Sequence, residues 1–272
     1  MNEKIGENPL ISVIMGVYNC EETIRDSIEC IINQTYKNWE FIICDDGSTD
    51  ATYSILLEYE KKDPRFIVLR NEGNKGLNYT LNKCLARTQG VLVARMDGDD
   101  RCSPERFEVQ IKVLKEEEGL AFVSSNVDFY SGDEIWGTTN HMEYPDNKEF
   151  LRRSPFSHAA CMIKKSAFEQ VGGYTESKKL LRVEDYHLWL KLYKEGYKGK
   201  NIKSSLYQAQ DDMKSYHRRK FKYSINQVYV RWLAVKYLKL PLYGYLLALK
   251  PLIVALLPRK LYLHLHRKKR HK

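Results

Sequence analysis

Residues 40–62 read EFIICDDGSTDATYSILLEYEKK: an apolar run, an acidic turn, then a segment with helical spacing. Glu40–Asp45 has the composition of a buried strand, and Thr52–Lys62 reads as the helix after it, with Asp50 placed to cap it. The same unit recurs on both sides. Upstream, Leu10–Tyr18 (LISVIMGVY) predicts a strand, and Glu22–Asn33 a helix with apolar residues at Ile24, Ile28, Ile31 and Ile32. Downstream, Phe66–Leu69 predicts a third strand, and Leu77, Leu81 and Leu85 mark a helix running to about Thr88. Val91–Met96 predicts a fourth strand, and Ser103-Pro104 opens a helix carrying Phe107, Ile111 and Leu114, with Pro at its first position.

Strands alternating with helices at this interval predict βαβ units: an α/β fold whose mostly parallel sheet is covered by helices. In such sheets ligands bind beyond the carboxyl ends of the strands, so those ends should carry the chemistry. They read Tyr18-Asn19 after the first strand, Asp45-Asp46-Gly47-Ser48 after the second and Asp97-Gly98-Asp99-Asp100 after the fourth. The remainder is less regular. It predicts a strand at Ala121–Tyr130, a loop and short helix at Tyr144–Ser157, a strand at Cys161–Lys164 and a turn at Gly172-Gly173-Tyr174. A helix at Glu184–Glu195 follows, with Leu188, Trp189 and Leu192 facing inward.

Each candidate residue has a plain reading beside the functional one. Asp97, Asp99 and Asp100 repel one another unless a cation sits among them, and hard oxygen ligands suit Mg²⁺ or Mn²⁺; they also suit a solvated turn with one Asp capping the next helix. Asp45 and Asp46 lie in DDGSTD, which is ordinary turn chemistry until a second acidic cluster shares the same sheet edge. Tyr18 is a loop aromatic or a base-stacking group. Lys75, in NKGLN, is a solvated lysine or a phosphate contact beside a helix N-terminus. Glu184 and Asp185 complement a helix dipole, and His158 reads as structural.

The 272-residue chain has a net charge of +9 that conceals an asymmetry. Residues 201–272 carry 17 Lys and Arg against 2 Asp and Glu, leaving 27 against 33 in residues 1–200. An acidic body suits metal and phosphate chemistry, and a basic, apolar tail suits an anionic surface. Within the tail, Leu240–Leu257 is apolar but interrupted by Pro241, Gly244, Lys250 and Pro251; it reads as an interfacial or re-entrant helix rather than a span of about 20 apolar residues. Packing of that segment on protein is the other reading. The cysteines at 20, 30, 44, 84, 102 and 161 form no CxxC pair, so a zinc site is not expected, and the acidic, apolar-poor N-terminus predicts no signal peptide. Together these readings predict a cytoplasmic protein, peripheral at the inner face of the membrane.

Five stretches in one order, ISVIMGVYN (11–19), INQTYKNWEFIICDDGSTD (32–50), NKGLNYTLNKCLARTQG (74–90), ARMDGDD (94–100) and VGGYTESKKLLRVEDYHLWLKL (171–192), resemble the inverting family 2 glycosyltransferases of GT-A fold, such as those of bacterial surface-polysaccharide assembly. The resemblance spans roughly residues 8–200. It implies a catalytic domain at 1–205, with its nucleotide part at about 8–100 and its acceptor part at about 101–205, while the basic, apolar composition beyond it predicts a helical membrane-associating tail at 206–272. The resemblance implies a UDP-sugar donor contacted by Tyr18, Asp45, Asp46, Asp97 and Asp99, to which the strand-end reading adds Asn19 and the loop reading Lys75, and Mn²⁺ or Mg²⁺ on Asp99, Asp97 and Asp100. The base comes from the Glu184-Asp185 pair, with Asp185 preferred. The apolar, basic tail would hold the site near the inner leaflet, so the expected acceptor is a lipid-linked saccharide, and no nucleic acid is expected. One departure stands out: where many members carry a YRxH stretch whose His joins the metal, this chain has Tyr207-Gln208-Ala209-Gln210, leaving Gln210, His217 or no residue for that role.

Two rivals fit less well. A nucleotidyl transferase needs a Gly-rich basic loop, and VIMGVYNCEE is not one; no GxxxxGK[ST] occurs either. A non-catalytic nucleotide or nucleic-acid binding module matches the basic tail but needs no carboxylates at strand ends.

Overall fold

The computed structural model describes residues 5–132, 134–210 and 221–256. Its first half follows the predicted alternation closely: β1 (Ile11–Val17), α1 (Ile24–Ile32), β2 (Trp39–Asp45), α2 (Thr52–Lys62), β3 (Phe66–Arg70), α3 (Leu77–Leu85) and β4 (Leu92–Arg95). These strands lie in the order β3-β2-β1-β4, all parallel, so β1 has β2 on one side and β4 on the other. Chain order reverses at β1, which is where an open α/β sheet forms a crevice at its carboxyl edge. Along β1 the side chains alternate: Ile11, Val13, Met15 and Val17 pack on the face covered by α1, while Ile14 joins Ile42, Cys44 and Val93 on the opposite face with α3.

Past β4 the topology becomes mixed. The short β5 (Arg101–Cys102) precedes α4 (Arg106–Glu116), β6 (Leu120–Ser131), β7 (Glu134–Thr138), β8 (Met162–Lys164), α5 (Lys165–Gln170), α6 (Glu184–Lys194) and β9 (Lys198–Gln210). β8 inserts antiparallel between β4 and β6, β9 runs parallel to β6, and β5 closes the edge antiparallel to β9. The described residues thus form one nine-stranded sheet. Sequence reading missed β5, β7, α5 and β9. The 13-residue β9 (KGKNIKSSLYQAQ) lacks apolar alternation because its pairing with β6 shifts register repeatedly, so its burial is irregular. It carries the sheet through residue 205 as far as Gln210. The α4 helix begins at Arg106 rather than at Pro104, whose carbonyl instead receives the Thr35 N–H at 2.9 Å.

Buried polar groups fasten the two halves. Arg106 is fully buried and donates to three carbonyls: Arg95 at 2.8 Å, Ala159 at 3.2 Å and Cys161 at 3.1 Å. Its Nε donates to Gln110 Oε1 at 3.2 Å, and Gln110 in turn donates to the Ala160 carbonyl at 2.7 Å. One helix turn therefore satisfies the backbone at the β4–β8 seam, where parallel and antiparallel strands meet.

The C-terminal helices α7 (Phe221–Tyr237), α8 (Gly244–Leu247) and α9 (Lys250–Ala255) pack together beside α6. Val228, Val230, Ala234 and Val235 of α7 are buried, and a Cβ at Gly244 would lie 2.8 Å from Val235, so α8 sits close on α7. No described helix is long and apolar enough to cross a membrane. Leu242, Leu246, Ile253 and Leu256 of the predicted interfacial segment point outward, while Gly244, Ala248 and Pro251 face the protein. The basic stretch 259–272 lies outside the described residues.

Arg106→Met should remove three buried hydrogen bonds to carbonyls, of which Cys161 keeps a second donor in the Arg95 N–H, each bond lost costing about 1 kcal/mol or more. The expected outcome is a loss of about 3 kcal/mol, seen by calorimetry as a Tm lower by roughly 6–12 °C. An unchanged Tm would remove Arg106 from its stitching role.

Candidate active site

The ends of β1 and β2 are joined by reciprocal hydrogen bonds. Asn19, in the left-handed region (φ 50°), donates its N–H to Ser48 Oγ at 2.9 Å and accepts the Thr49 N–H at 2.9 Å. The residue in the cap position of α2 is Ala51 rather than the predicted Asp50, which lies one residue earlier and accepts from Thr52 N–H at 3.0 Å and from Glu21 N–H at 3.2 Å. Gly47 has φ 76°, and a Cβ there would sit 2.6 Å from the Gly73 backbone, so only glycine permits this approach of the two loops.

Asp45 and Asp46 are both buried and both engaged. Asp45 pairs with Arg70 Nε at 3.1 Å and accepts the Ser48 N–H at 3.1 Å. Asp46 accepts from Asn71 Nδ2, Lys75 N–H and Gly76 N–H, each at 2.8 Å. A carboxylate has roughly four acceptor sites, so Asp46 keeps capacity for one further donor while it anchors loop 71–76. That loop ends at the start of α3, beside the exposed Lys75 side chain. Tyr18 stands exposed on the rim of the crevice.

At the end of β4 the acidic loop is held from three directions. Asp97 N–H donates to Tyr207 Oη at 3.0 Å, Tyr130 Oη donates to the Asp99 carbonyl at 3.2 Å, and Ser27 Oγ donates to the Asp100 carbonyl at 2.7 Å. The three carboxylates have separate surroundings. Asp97 makes a bidentate pair with the buried Arg95 guanidinium, with Nη1 at 2.9 Å from Oδ2. Asp99 is half-buried. Asp100 is buried and accepts the Gln210 N–H at 2.9 Å; burial, with Asp97 and Asp99 nearby, pushes its carboxyl well above the ordinary range. Of the three carboxylates expected to share a cation, Asp100 faces β9, and among the described residues no three His, Cys, Asp or Glu side chains gather as a metal site. Mg²⁺ and Mn²⁺ in phosphate-binding sites need only one or two protein carboxylates, with substrate oxygens and water completing the shell. Asp97 and Asp99 fit that shared arrangement. Gln210 is exposed at the end of β9 beside this loop, and His217 lies outside the described residues.

The Glu184-Asp185 pair opens α6, whose Trp189 stacks on Phe122 of β6 with ring centroids 5.0 Å apart. Ser154 Oγ donates to Asp185 Oδ2 at 3.1 Å. Burial raises both carboxyls above their ordinary values; Asp185 further raises Glu184, whereas Ser154 and the charge of Arg95 favour ionised Asp185. Arg95 is the common member. Burial is the largest influence and opposes its charge, but Asp97 together with Tyr174, Tyr207 and Cys161 outweighs burial and holds it protonated. Its Nε has no hydrogen-bond partner. Burial first and Arg95 second push His158 well below its ordinary value, so it is neutral, and its Nε2 lies 2.7 Å from Tyr174 Oη. His158 therefore belongs to the wall behind the site, as its structural reading held.

The structure thus brings the β1, β2 and β4 ends and the start of α6 to one edge of the sheet. Sequence reading missed Arg95, Asn71, Ser154 and Tyr207. Arg95 carried a legible signal, since an Arg inside VLVARM must be paired if the strand is buried. The others are ordinary polar residues whose roles depend on distant partners.

The model of the family "Glycosyl transferase family 2" matches residues 12–172. Among similar proteins, EpsE of Bacillus subtilis, named as a glycosyltransferase, is 36% identical over 97% of this chain and 96% of its own length. WfaP of Escherichia coli, a UDP-Glc:α-D-GlcNAc-diphosphoundecaprenol β-1,3-glucosyltransferase by name, is 32% identical over 71% of this chain and 73% of its own. The mannosyltransferase PcManGT of Pyrobaculum calidifontis, solved with GDP-Man and Mn²⁺, superposes with a TM-score of 0.68 at 18% identity, covering 98% of this chain and 81% of that one. Residues 1–349 of TarS of S. aureus, solved with UDP-GlcNAc, give 0.67 at 18% identity, covering 89% and 70%. The fold is the GT-A type.

A carboxyl whose pKa is raised by folding stabilises the protein at low pH, and that contribution is lost as pH rises through the folded value. At neutral pH the ionised Asp185 is therefore a destabilising feature. Asp185→Asn should raise Tm at pH 7 by roughly 2–4 °C, the equivalent of about 1 kcal/mol. The gain should shrink at pH 4; a lower Tm at neutral pH would contradict the burial argument.

Proposed function

This chain belongs to glycosyl transferase family 2, and on that premise we propose that it moves a hexose or N-acetylhexosamine from a UDP-sugar to a lipid-linked saccharide, with inversion, in cell-surface polysaccharide synthesis. The observation that carries this reading is the junction at Arg95. One buried guanidinium pairs with Asp97 at the end of β4, and its charge reaches Asp185 at the start of α6. A donor-binding loop and a candidate base thereby share one electrostatic centre.

In this reading the diphosphate lies against the Asp97–Asp99 loop, and the uridine lies toward Tyr18, Asn19 and the Asp45-Asp46 turn, with Lys75 toward the phosphates. Asp99, with Asp97 alongside, would hold Mn²⁺ or Mg²⁺, which supplies neutralisation of charge on the leaving diphosphate. Asp185 accepts the proton of the attacking hydroxyl as the new bond forms at the anomeric carbon and the bond to UDP breaks, a single displacement that inverts the centre. Ser154 orients Asp185 through the bond to Oδ2, and Glu184 stands beside it as the second carboxyl. Holding base, hydroxyl and anomeric carbon in line lowers the barrier further.

The choice of nucleotide and acceptor is supported by a relative: WfaP, by its name, uses UDP-Glc and a diphosphoundecaprenol-linked sugar. Attachment at the cytosolic face of a membrane is supported by the outward Leu242, Leu246, Ile253 and Leu256 and by the basic residues at 259–272. Basic residues at an anionic leaflet contribute about 1 kcal/mol each.

UDP release from a panel of UDP-sugars, with Mn²⁺, Mg²⁺ or EDTA, tests the reading; release from one donor in metal alone is expected, and silence with no nucleotide binding would return the chain to a binding module. Asp185→Asn should lower kcat by about 10²–10⁴ with nucleotide affinity kept, and Asp99→Ala should weaken metal-dependent nucleotide binding. Because the base works ionised and burial raises its pKa, kcat should fall on acidification at a pH above the ~3.9 of an exposed Asp.

A further inference from the structure

The loop leading into α6 has chemistry that the site described above does not use. Residues 177–183 read SKKLLRV, and their alternation is anchored in the fold: Leu180 and Val183 are buried, while Lys178, Lys179, Leu181 and Arg182 are exposed. The loop is fixed from both sides. Ser177 Oγ accepts the Lys179 N–H at 3.3 Å, and Asn226 of α7 donates to the Leu181 carbonyl at 3.0 Å. Arg182 has φ 67°, a left-handed conformation that a long side chain rarely adopts. It stands two residues before Glu184, whose carboxyl its charge favours in the ionised form. Neither Arg182 nor Lys178 has a side-chain hydrogen bond or ion pair among the described residues, whereas Lys179 lies over the Tyr229 ring at 5.5 Å.

Beside these cations lies an apolar strip. The bond from Asn226, next in sequence to Ile225, ties α7 to the loop at the Leu181 carbonyl, and Phe221 lies one turn before Ile225 on the same helix face. Leu181, Ile225 and Phe221 are 40%, 51% and 55% exposed. Lys222 adds a further exposed cation at the start of α7. Fixed cations bordering an apolar strip, immediately next to the candidate base, complement a ligand that is anionic at one end and apolar at the other.

We propose that this patch is the acceptor's lipid-diphosphate subsite: Arg182 and Lys178 take the diphosphate, and Leu181, Ile225 and Phe221 take the first part of the hydrocarbon chain. The proposal rests on the acceptor reading above and adds its location. A diphosphate at Arg182 leaves the sugar it carries facing Glu184 and Asp185, so the subsite would favour acceptors with few sugars between lipid and reacting hydroxyl.

The test uses the full chain with UDP and Mn²⁺ saturating, so that the nucleotide site does not take a second diphosphate. Calorimetric titration compares farnesyl diphosphate, inorganic pyrophosphate and farnesol. Farnesyl diphosphate should bind at least tenfold tighter than either fragment. Arg182→Asn keeps a residue that tolerates the left-handed backbone, and combined with Lys178→Gln it should weaken farnesyl diphosphate about tenfold. Leu181→Ser with Ile225→Ser should weaken farnesyl diphosphate but leave pyrophosphate unchanged. Equal affinities for farnesyl diphosphate and pyrophosphate would reduce the patch to a charge site and overturn the proposal. Arg182-dependent binding of phosphatidylglycerol vesicles without binding of farnesyl diphosphate would make it a bilayer contact and also overturn it. A wild type that binds UDP but not farnesyl diphosphate sinks the subsite alone, and one that binds no sugar nucleotide sinks the functional reading with it.

Discussion

The pairing of Arg95 with Asp97 is the constraint around which this molecule is arranged. A guanidinium buried inside a strand is tolerated only with its charge matched. Asp97 supplies the match two residues along, where β4 ends and the crevice begins. The backbone there is equally tied: Arg95 N–H donates to the Cys161 carbonyl, and Arg106 donates to the Arg95 carbonyl. Asp97 is thereby fixed in direction, and the rest of the acidic loop inherits its position through Tyr207, Tyr130 and Ser27.

That arrangement explains why three adjacent carboxylates behave differently. Asp97 is held by a buried cation, Asp100 is withdrawn against β9, and Asp99 stays at the mouth half-buried. The DDGSTD turn shows the same division. Asp45 and Asp46 form the framework, with their oxygens committed to Arg70, Ser48, Asn71, Lys75 and Gly76. Turn chemistry and site chemistry are here not rivals, since satisfying the turn is what shapes the pocket.

The first half of the sheet was legible because its signals are local. Period-2 and period-3.6 patterns identify β1 to β4 and their helices, and parallel order then predicts which edge bears the site. The half beyond β4 was less so. β9 was missed because its register shifts against β6 leave no regular apolar alternation. Sequence reading grouped Asp100 with Asp97 and Asp99, because the Gln210 N–H that it accepts arrives from 110 residues away. Arg95 was overlooked in a run quoted for its aspartates, although a lone Arg among Val, Leu, Ala and Met calls for a partner on physical grounds alone.

Opposing effects meet at the start of α6. A helix N-terminus favours carboxylates, and Ser154 and Arg95 both favour ionised Asp185, yet burial exceeds these and leaves its pKa raised. Deeper burial would keep the group protonated, while fuller exposure would return it to the ordinary carboxylate range. The Trp189–Phe122 stack fixes the helix against the sheet, so this balance is set by packing rather than by loop motion. Arg182, immediately upstream, then has a fixed relation to the pair despite lying on an exposed loop. A cation held in a left-handed turn beside two buried carboxyls is poorly explained by stability alone, and recognition of an anionic acceptor gives that geometry a reason to exist.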